Sequence, residues 1–599
     1  MKTFKLLFAF FALACTQSAV AQAKYEAYSP EWAKDLIIYE LSTKSYTSPQ
    51  GPETGTFNSI KEKIAYLQEL GINGVWLTGS NWADHKHFYN IWTQYACIRP
   101  DSLDPSLGTP AEFKSMVDEF HRHGIKVFLD VITHGVMKNS PLVSEKPYWF
   151  KGESWGMADY DWFGGHADLD GWWVKTHTDY VTKYGIDGYR LDLRMYRPDL
   201  WNTIKENSTA AGHPIVVFIE GLDYSESYSE GVADFYQRVT RLAAQEGGLV
   251  EGMKLIDNVA AFYEETPLRS EMLEIGKVMI TYSDGTQDSC DLPANRGKLS
   301  ATVQKVIPAD LKSNLKITIS GIDKSKSIQE ITAYPTLYYH HAFTIEGVKT
   351  EKILPMTISG VSEITVEFTP FVPDKLLNSC ILSCHDEGWE GFNETENPYL
   401  AEGSRCIFGY SCLFTPAIPL FMSGEEFDAD YRPLPTLSAH LFKKERIGEG
   451  KWLYGSWIQW DQLKEKKHLD MLTDVKKMIA IRKQEKDVIH SVLNVAEPNI
   501  TAVEYKSSAT VPAPYIMWND KKAILVAGNN LSKDVKITVT LPLDKTGLGG
   551  KSAQLKITDL WNGGEKIISA YPPCNFSFSI KKDKTAGGGL AVYKIEVVN

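Results

Sequence analysis

Cysteine is scarce: the chain has 8 in 599 residues. Cleavage after Ala21 would leave seven, at Cys97, Cys290, Cys380, Cys384, Cys406, Cys412 and Cys574. An odd, scattered set is not a disulfide framework. Cys380 and Cys384 share one apolar run with no second pair nearby, which reads as buried strand residues and not as a metal clip. Long apolar runs are missing as well, and nothing past the N-terminus approaches the ~20 residues that cross a bilayer. No basic stripe exists: 63 Lys and Arg stand against 75 Asp and Glu, a net charge of −12. That balance excludes the electrostatic footprint of a nucleic-acid partner. No internal repeat is visible.

What is present begins with an export signal. Lys2 and Lys5 precede the apolar run Leu6 to Ala14, and Ala19-Val20-Ala21 is a small-x-small cleavage site before Gln22. A lipid on Cys15, within Ala12-Leu13-Ala14-Cys15, is the alternative, and membrane anchoring is expected only in that case. The expected location is periplasmic or extracellular. The full chain is 43% hydrophobic and 12% aromatic, a globular composition large enough for several cores.

From about Asp35 to Leu255, short apolar runs alternate with helical patterns. Leu36 to Tyr39, Ile72 to Leu77, Ile125 to Val131, Ile186 to Leu191 and Ile215 to Ile219 read as strands. Ile60 to Leu70, Phe113 to His121 and Trp172 to Tyr184 read as helices, each followed by a glycine. Repeated strand–helix units in a long chain favour a closed (β/α)8 TIM barrel. Helical periodicity fades between Gly276 and Val372, where β-branched runs sit between Gly, Asp and Pro turns. The α/β pattern resumes at Leu377 to Ser383 and Pro416 to Phe421, with a helix around Leu472 to Lys483. From Val488 onward the chain again reads as strands. The expected organisation is a signal peptide (1–21), a first barrel part (22–275, with a short excursion at 136–170), an inserted β-rich domain (276–372), a second barrel part (373–487) and a C-terminal β-sandwich (488–599).

Active sites of such barrels form where strands end and βα loops converge. Four apolar runs end in acids, at Asp130, Asp192, Glu220 and His385-Asp386. One buried acid is commonly a cap or an ion pair; four on one rim point to chemistry. Glycoside hydrolysis needs two carboxylates in different protonation states. Arg190, two residues before Asp192, shares its strand face and would keep Asp192 ionised, whereas Glu220 closes an apolar strand without such a neighbour. That asymmetry assigns Asp192 as nucleophile and Glu220 as acid/base. The simpler alternative is a structural Arg190–Asp192 ion pair.

In order and context these segments resemble the four motifs of glycoside hydrolase family 13, the α-amylase family. Asp130 to Gly135, Gly188 to Asp192, Glu220, and His385-Asp386 match in turn. The resemblance covers about residues 35–275 and 375–485. It implies Asp386 as a third acid, Arg190, His385, Asp130 and His134 around the reacting sugar, and Tyr89 as a stacking ring. Gly424-Glu425-Glu426 also looks familial. The first motif departs from the family: it reads Thr133-His134-Gly135 where Asn-His is usual. The family's histidine contact, and the calcium site to which that asparagine contributes, are therefore in doubt, and neither essential calcium nor any other cofactor is expected. The 386 − 220 = 166 residues between Glu220 and Asp386 reflect the insert.

The implied activity is that of a retaining glycosidase on an α-linked glucan or oligosaccharide. Transglycosylases and sugar isomerases of the family use the same residues. A non-catalytic sugar-binding homologue, or an adhesion protein using its β-domains, would show no dependence on Glu220. Tyr148, Trp149, Phe150, Trp155, Tyr160, Trp162 and Phe163 crowd the excursion, as sugar platforms or as a small cluster pinning the loop.

Overall fold

Eight short apolar segments become the strands of one parallel sheet. They are β1 (Ile38–Leu41), β2 (Gly74–Leu77), β3 (Lys126–Val131), β4 (Gly188–Leu191), β5 (Val216–Glu220), β6 (Phe235–Gln237), β7 (Ser379–Ile381) and β8 (Ile418–Met422). The computed structural model describes residues 18–21, 29–51, 54–86, 94–220, 232–237, 258–260, 273–292, 294–306, 314–339, 341–344, 351–353, 358–368, 379–382, 385, 403–429, 432–433, 456–491, 499–548 and 554–598. The spatial order is β6-β5-β4-β3-β2-β1-β8-β7, and every ladder is parallel. Each strand thus neighbours its successor, β8 returns to β1, and β6 lies beside β7. This is the expected (β/α)8 barrel.

Alternation along the strands fills the barrel and coats its outside. Ile38, Trp76, Phe128, Phe218, Phe235 and Leu420 belong to one compact inner cluster. Phe218 and Phe235 stack at 4.7 Å, and Trp76 meets Phe218 edge-on. Val75, Val127, Tyr189 and Val217, the alternate residues, join the larger core under the helices. Those helices include α1 (Ile64–Leu70), α2 (Pro110–Arg122), α3 (Ala167–Asp179), α4 (Pro198–Ala210) and α5 (Lys466–Gln484). α2 shows why the local sequence folds so. Thr109 and Glu112 form a reciprocal capping box, Pro110 opens the first turn, and Phe113, Met116, Val117 and Phe120 bury one face. Gly188 at the head of β4 has φ +150, and a Cβ there would lie 1.8 Å from the Val216 carbonyl oxygen. Glycine therefore lets β4 approach β5 closely, just upstream of Arg190 and Asp192.

The excursion after β3 carries a three-stranded sheet of Gly135–Met137, Met157–Tyr160 and Phe150–Ser154. The C-terminal region pairs a six-stranded with a three-stranded sheet around the core of Ile516, Leu525, Val539, Phe576 and Ile595. It is bound to the barrel directly. The Tyr515 hydroxyl donates to the Tyr410 carbonyl at 2.7 Å, and the Cys406 amide donates to Asp583 at 2.7 Å. Barrel and C-terminal sheets form one compact unit, Tyr25–Pro267 with Pro373–Asn599.

The second unit is Met1–Lys24 with Leu268–Val372. It is β-rich and encloses its own core of Val278, Ile280, Ile317, Ile319, Ile331 and Val366. Ser18–Ala21, inside the segment read as an export signal, is an edge strand pairing in parallel with Glu363–Phe368. Residues 300–306, 314–320 and 363–368 form antiparallel ladders that do not depend on that edge. Among the described residues no helix is long and apolar enough to cross a membrane. Six described cysteines are buried, Cys380 among them, and Cys384 lies outside the described residues.

Candidate active site

Three strand tips converge on one guanidinium. Arg190 on β4 is fully buried, and its Nη1 lies 2.8 Å from Asp192 Oδ1 and 3.2 Å from Asp130 Oδ1. Its Nη2 lies 3.2 Å from Glu220 Oε2 at the end of β5. The side chains grade outward, from Arg190 at 0% exposure and Asp130 at 1% to Asp192 at 13% and Glu220 at 20%. The two inner groups form the floor, and the two outer carboxylates are part-exposed. Burial alone would favour a neutral Arg190. The charges of Asp130, Glu220 and Asp192 outweigh it and hold the guanidinium well above its usual pKa. Three carboxylates face one guanidinium in this described cluster.

The floor is held from below. Trp76 Nε1 donates to Asp130 Oδ2 at 2.7 Å and the Tyr95 hydroxyl donates to the same oxygen at 2.5 Å. The Arg190 guanidinium lies 5.0 Å from the centroid of the Trp76 ring, a cation–π distance. Asp130 is thus saturated with donors inside the barrel, which makes it an anchor of Arg190 more than a sugar contact. His385 follows β7 and is completely buried. Its Nδ1 pairs with Glu40 Oε1 at 2.5 Å, and its ring stacks on Tyr95 at 4.6 Å. Asp386 and Tyr89 lie outside the described residues.

Glu220 corrects the sequence-based electrostatics. It was expected to lack the cation that Asp192 has, yet Arg190 reaches both, and the Leu193 amide donates to Glu220 Oε2 at 2.7 Å. Leu193 adopts φ +59, a left-handed conformation that a branched side chain disfavours, and this aims its N–H at the carboxylate. Sequence spacing reveals a neighbour on the same strand and hides one contributed across strands, hence the missed contacts.

His134 lies buried beside Asp192. Its Nε2 is 4.0 Å from Asp192 Oδ2, and its Nδ1 is 3.4 Å from Asp159 Oδ1 and 3.3 Å from Ser154 Oγ. Ser154 donates to Asp159 at 2.5 Å. Burial would raise the Asp159 pKa, but the bonds from His134 and Ser154 hold it below the usual value. The shifted motif therefore still delivers an imidazole beside Asp192. An imidazole occupies the asparagine position, and Asp159 is committed to it. No group of three or more His, Cys, Asp or Glu among the described residues is arranged to hold a metal ion.

Sequence reasoning missed Glu40, Trp76, Tyr95 and Asp159. Glu40 was within reach, because Leu36 to Tyr39 is also an apolar run closed by an acid. Asp159 sits in a hairpin whose pairing carries no comparable signal. The excursion's aromatic residues divide. Trp149, Tyr160 and Trp162 are buried, with Phe150 stacked on Tyr160, whereas Tyr148, Trp155 and Phe163 are exposed.

Residues 40–140 match the family model for the α-amylase catalytic domain. The α-amylase MalA of Haloarcula japonica is 26% identical over 257 residues, 39% of this chain and 37% of that protein. The α-amylase SusG of Bacteroides thetaiotaomicron is 30% identical over 118 residues, 19% of this chain and 16% of that protein. The chain thus spans little more than a third of the length of the first relative, and less of the second. Among solved structures, the noncanonic maltogenic α-amylase AmyB from Thermotoga neapolitana aligns over 94% of this chain and 100% of its own, at a TM-score of 0.54 and 13% identity. Pullulanase type I from Bacillus subtilis str. 168 aligns over 97% of this chain and 72% of its own, at 0.55 and 14%. At such identities the structures speak for the fold alone. The family match makes residues 40–140 similar to the α-amylase catalytic domain, and the Arg190–Asp192–Glu220 cluster stands at strand ends four and five of the barrel that the solved structures share.

Proposed function

We propose that the chain is a retaining glycosidase acting on an α-linked glucan or oligosaccharide. The observation that carries this is the shared guanidinium, because Arg190 gathers Asp192 and Glu220 at the ends of β4 and β5. In the proposed cycle Glu220 protonates the glycosidic oxygen while Asp192 Oδ attacks the anomeric carbon. The C–O bond to the leaving sugar breaks and a glycosyl–Asp192 ester forms. Glu220, now ionised, takes a proton from water, which attacks the anomeric carbon and frees Asp192. The carboxylates of the cluster favour the cationic, oxocarbenium-like transition state. They also help the site retain the one proton the leaving group requires. Asp386 is assigned as the third acid, holding sugar hydroxyls.

The test is a screen of α-1,4, α-1,6 and α-1,1 glucosides, followed by chromatography, run in a chelator and with and without an acceptor sugar. Hydrolysis products that persist in the chelator are expected. Glu220→Gln should retain the fold and lose roughly 10²–10⁴-fold in turnover on poor leaving groups. Unchanged turnover would remove Glu220 from the acid role, and products elongated on the acceptor would make transfer the main reaction. Export belongs to the same reading: mass spectrometry of the mature chain should place its start at Gln22, or at a lipidated Cys15.

A further inference from the structure

Trp155 is an exposed aromatic residue of the excursion that occupies a strained turn position. It lies at the tip of the hairpin formed by Phe150–Ser154 and Met157–Tyr160, where Ser154 pairs with Met157. A two-residue turn therefore joins the strands, with Trp155 at φ +47 and Gly156 at φ +79. Both are left-handed, as a right-twisted hairpin demands. Glycine, asparagine or aspartate suit the first of these positions, and a tryptophan there is strained. Nor does its ring contribute to the hairpin's core. Trp149, Tyr160 and Trp162 fill that core, while Trp155 remains 55% exposed. Strain at a bulky, solvent-facing ring is what a binding site retains and a scaffold does not need.

The ring's location supplies the second argument. Trp155 meets His134 edge-on, with centroids 5.2 Å apart and planes at 70°. His134 Nε2 in turn is 4.0 Å from Asp192 Oδ2. The indole is thus tied, through one imidazole, to the carboxylate proposed to attack the sugar. Ser154, the residue before it, donates to Asp159, which also pairs with His134, so the turn and the imidazole share one anchor. Beside Trp155 the turn is uncrowded: among the described residues a Cβ at Gly156 would meet nothing within 4 Å.

We propose that Trp155 is a sugar platform beside the reacting residue, stacking its indole on the apolar C–H face of a neighbouring pyranose of an oligosaccharide. This rests on the α-glucan reading above. His134 then has a positioning role, holding the platform and flanking Asp192.

The experiment is calorimetric titration of maltotriose and longer maltooligosaccharides into the full chain carrying Glu220→Gln, so that the sugar stays intact. Trp155→Asn is compared with Trp155 in that background, because asparagine accepts the left-handed turn and should fold at least as well. Trp155→Phe serves as the conservative rescue. Affinity should fall about tenfold in Trp155→Asn and recover in part in Trp155→Phe. Equal affinity in all three overturns the platform while leaving the α-glucan reading in place. No binding even with Trp155 overturns both.

Discussion

A guanidinium shut away from water is tolerated only where opposite charge meets it. Arg190 meets three carboxylates, so its removal does two separable things. Arg190→Ala strands Asp130 in the barrel floor without its cation and should cost about 3–5 kcal/mol of stability in denaturant unfolding. Arg190→Lys keeps the charge but loses the planar fork that touches Asp192 and Glu220 from separate nitrogens. It should fold with a smaller loss and drop turnover by about 10²-fold, the scale of a misplaced reacting group. If both variants lost stability alone, with turnover per folded molecule unchanged, the guanidinium would be structural only. His134 shows the same economy. One residue earlier than the family pattern, it still reaches the neighbourhood of Asp192, because Asp159 and Ser154 hold its other nitrogen.

At the scale of elements, the turn after β8 is a clamp. Glu426 accepts from the Tyr39 hydroxyl on β1 at 3.0 Å, from the Tyr66 hydroxyl on α1 at 2.5 Å and from the Gly424 amide at 2.8 Å. Complete burial pushes its pKa up to about 7, and those hydrogen bonds offset the effect only partly. The folded chain therefore holds a proton that the unfolded chain releases near the ordinary value of 4.5. Stability from Glu426 is full below about pH 4.5 and is lost as pH rises to 7. Glu426→Gln, which mimics the protonated acid, should match the parent at pH 4.5 and exceed it by roughly 3 kcal/mol above pH 7 in urea unfolding. A difference that does not change with pH would contradict a buried neutral acid. The strands that position the site were readable because each is an apolar, β-branched run closed by an acid or a glycine. β6 was not: it is three residues long and has no such boundary. Glu40 was passed over although it obeys the same strand-end rule. Contacts made across strands or from the hairpin, such as Leu193 to Glu220 and Asp159 to His134, depend on register and backbone twist, which spacing does not encode.

For the whole molecule, sequence periodicity separated a barrel, a β-rich insertion and C-terminal sheets. It did not show which residues join the last to the barrel, where Tyr515, Met517, Ile524 and Trp561 share the core under its helices. Apolar alternation marks a buried face without naming what covers it. The long separation of Glu220 from Asp386 likewise conceals how closely β4 and β5 bring the other acids together. The central claim is that Asp192 becomes covalently attached to the sugar. Incubation with a 5-fluoro-α-glucosyl fluoride, whose ring fluorine slows release of the glycosyl–enzyme, followed by peptide mass spectrometry, reads this directly. The account predicts one added glycosyl mass on the peptide containing Asp192, absent from Asp192→Asn. A glycosyl group on any other residue, or steady release of inverted sugar with no adduct at all, would contradict it.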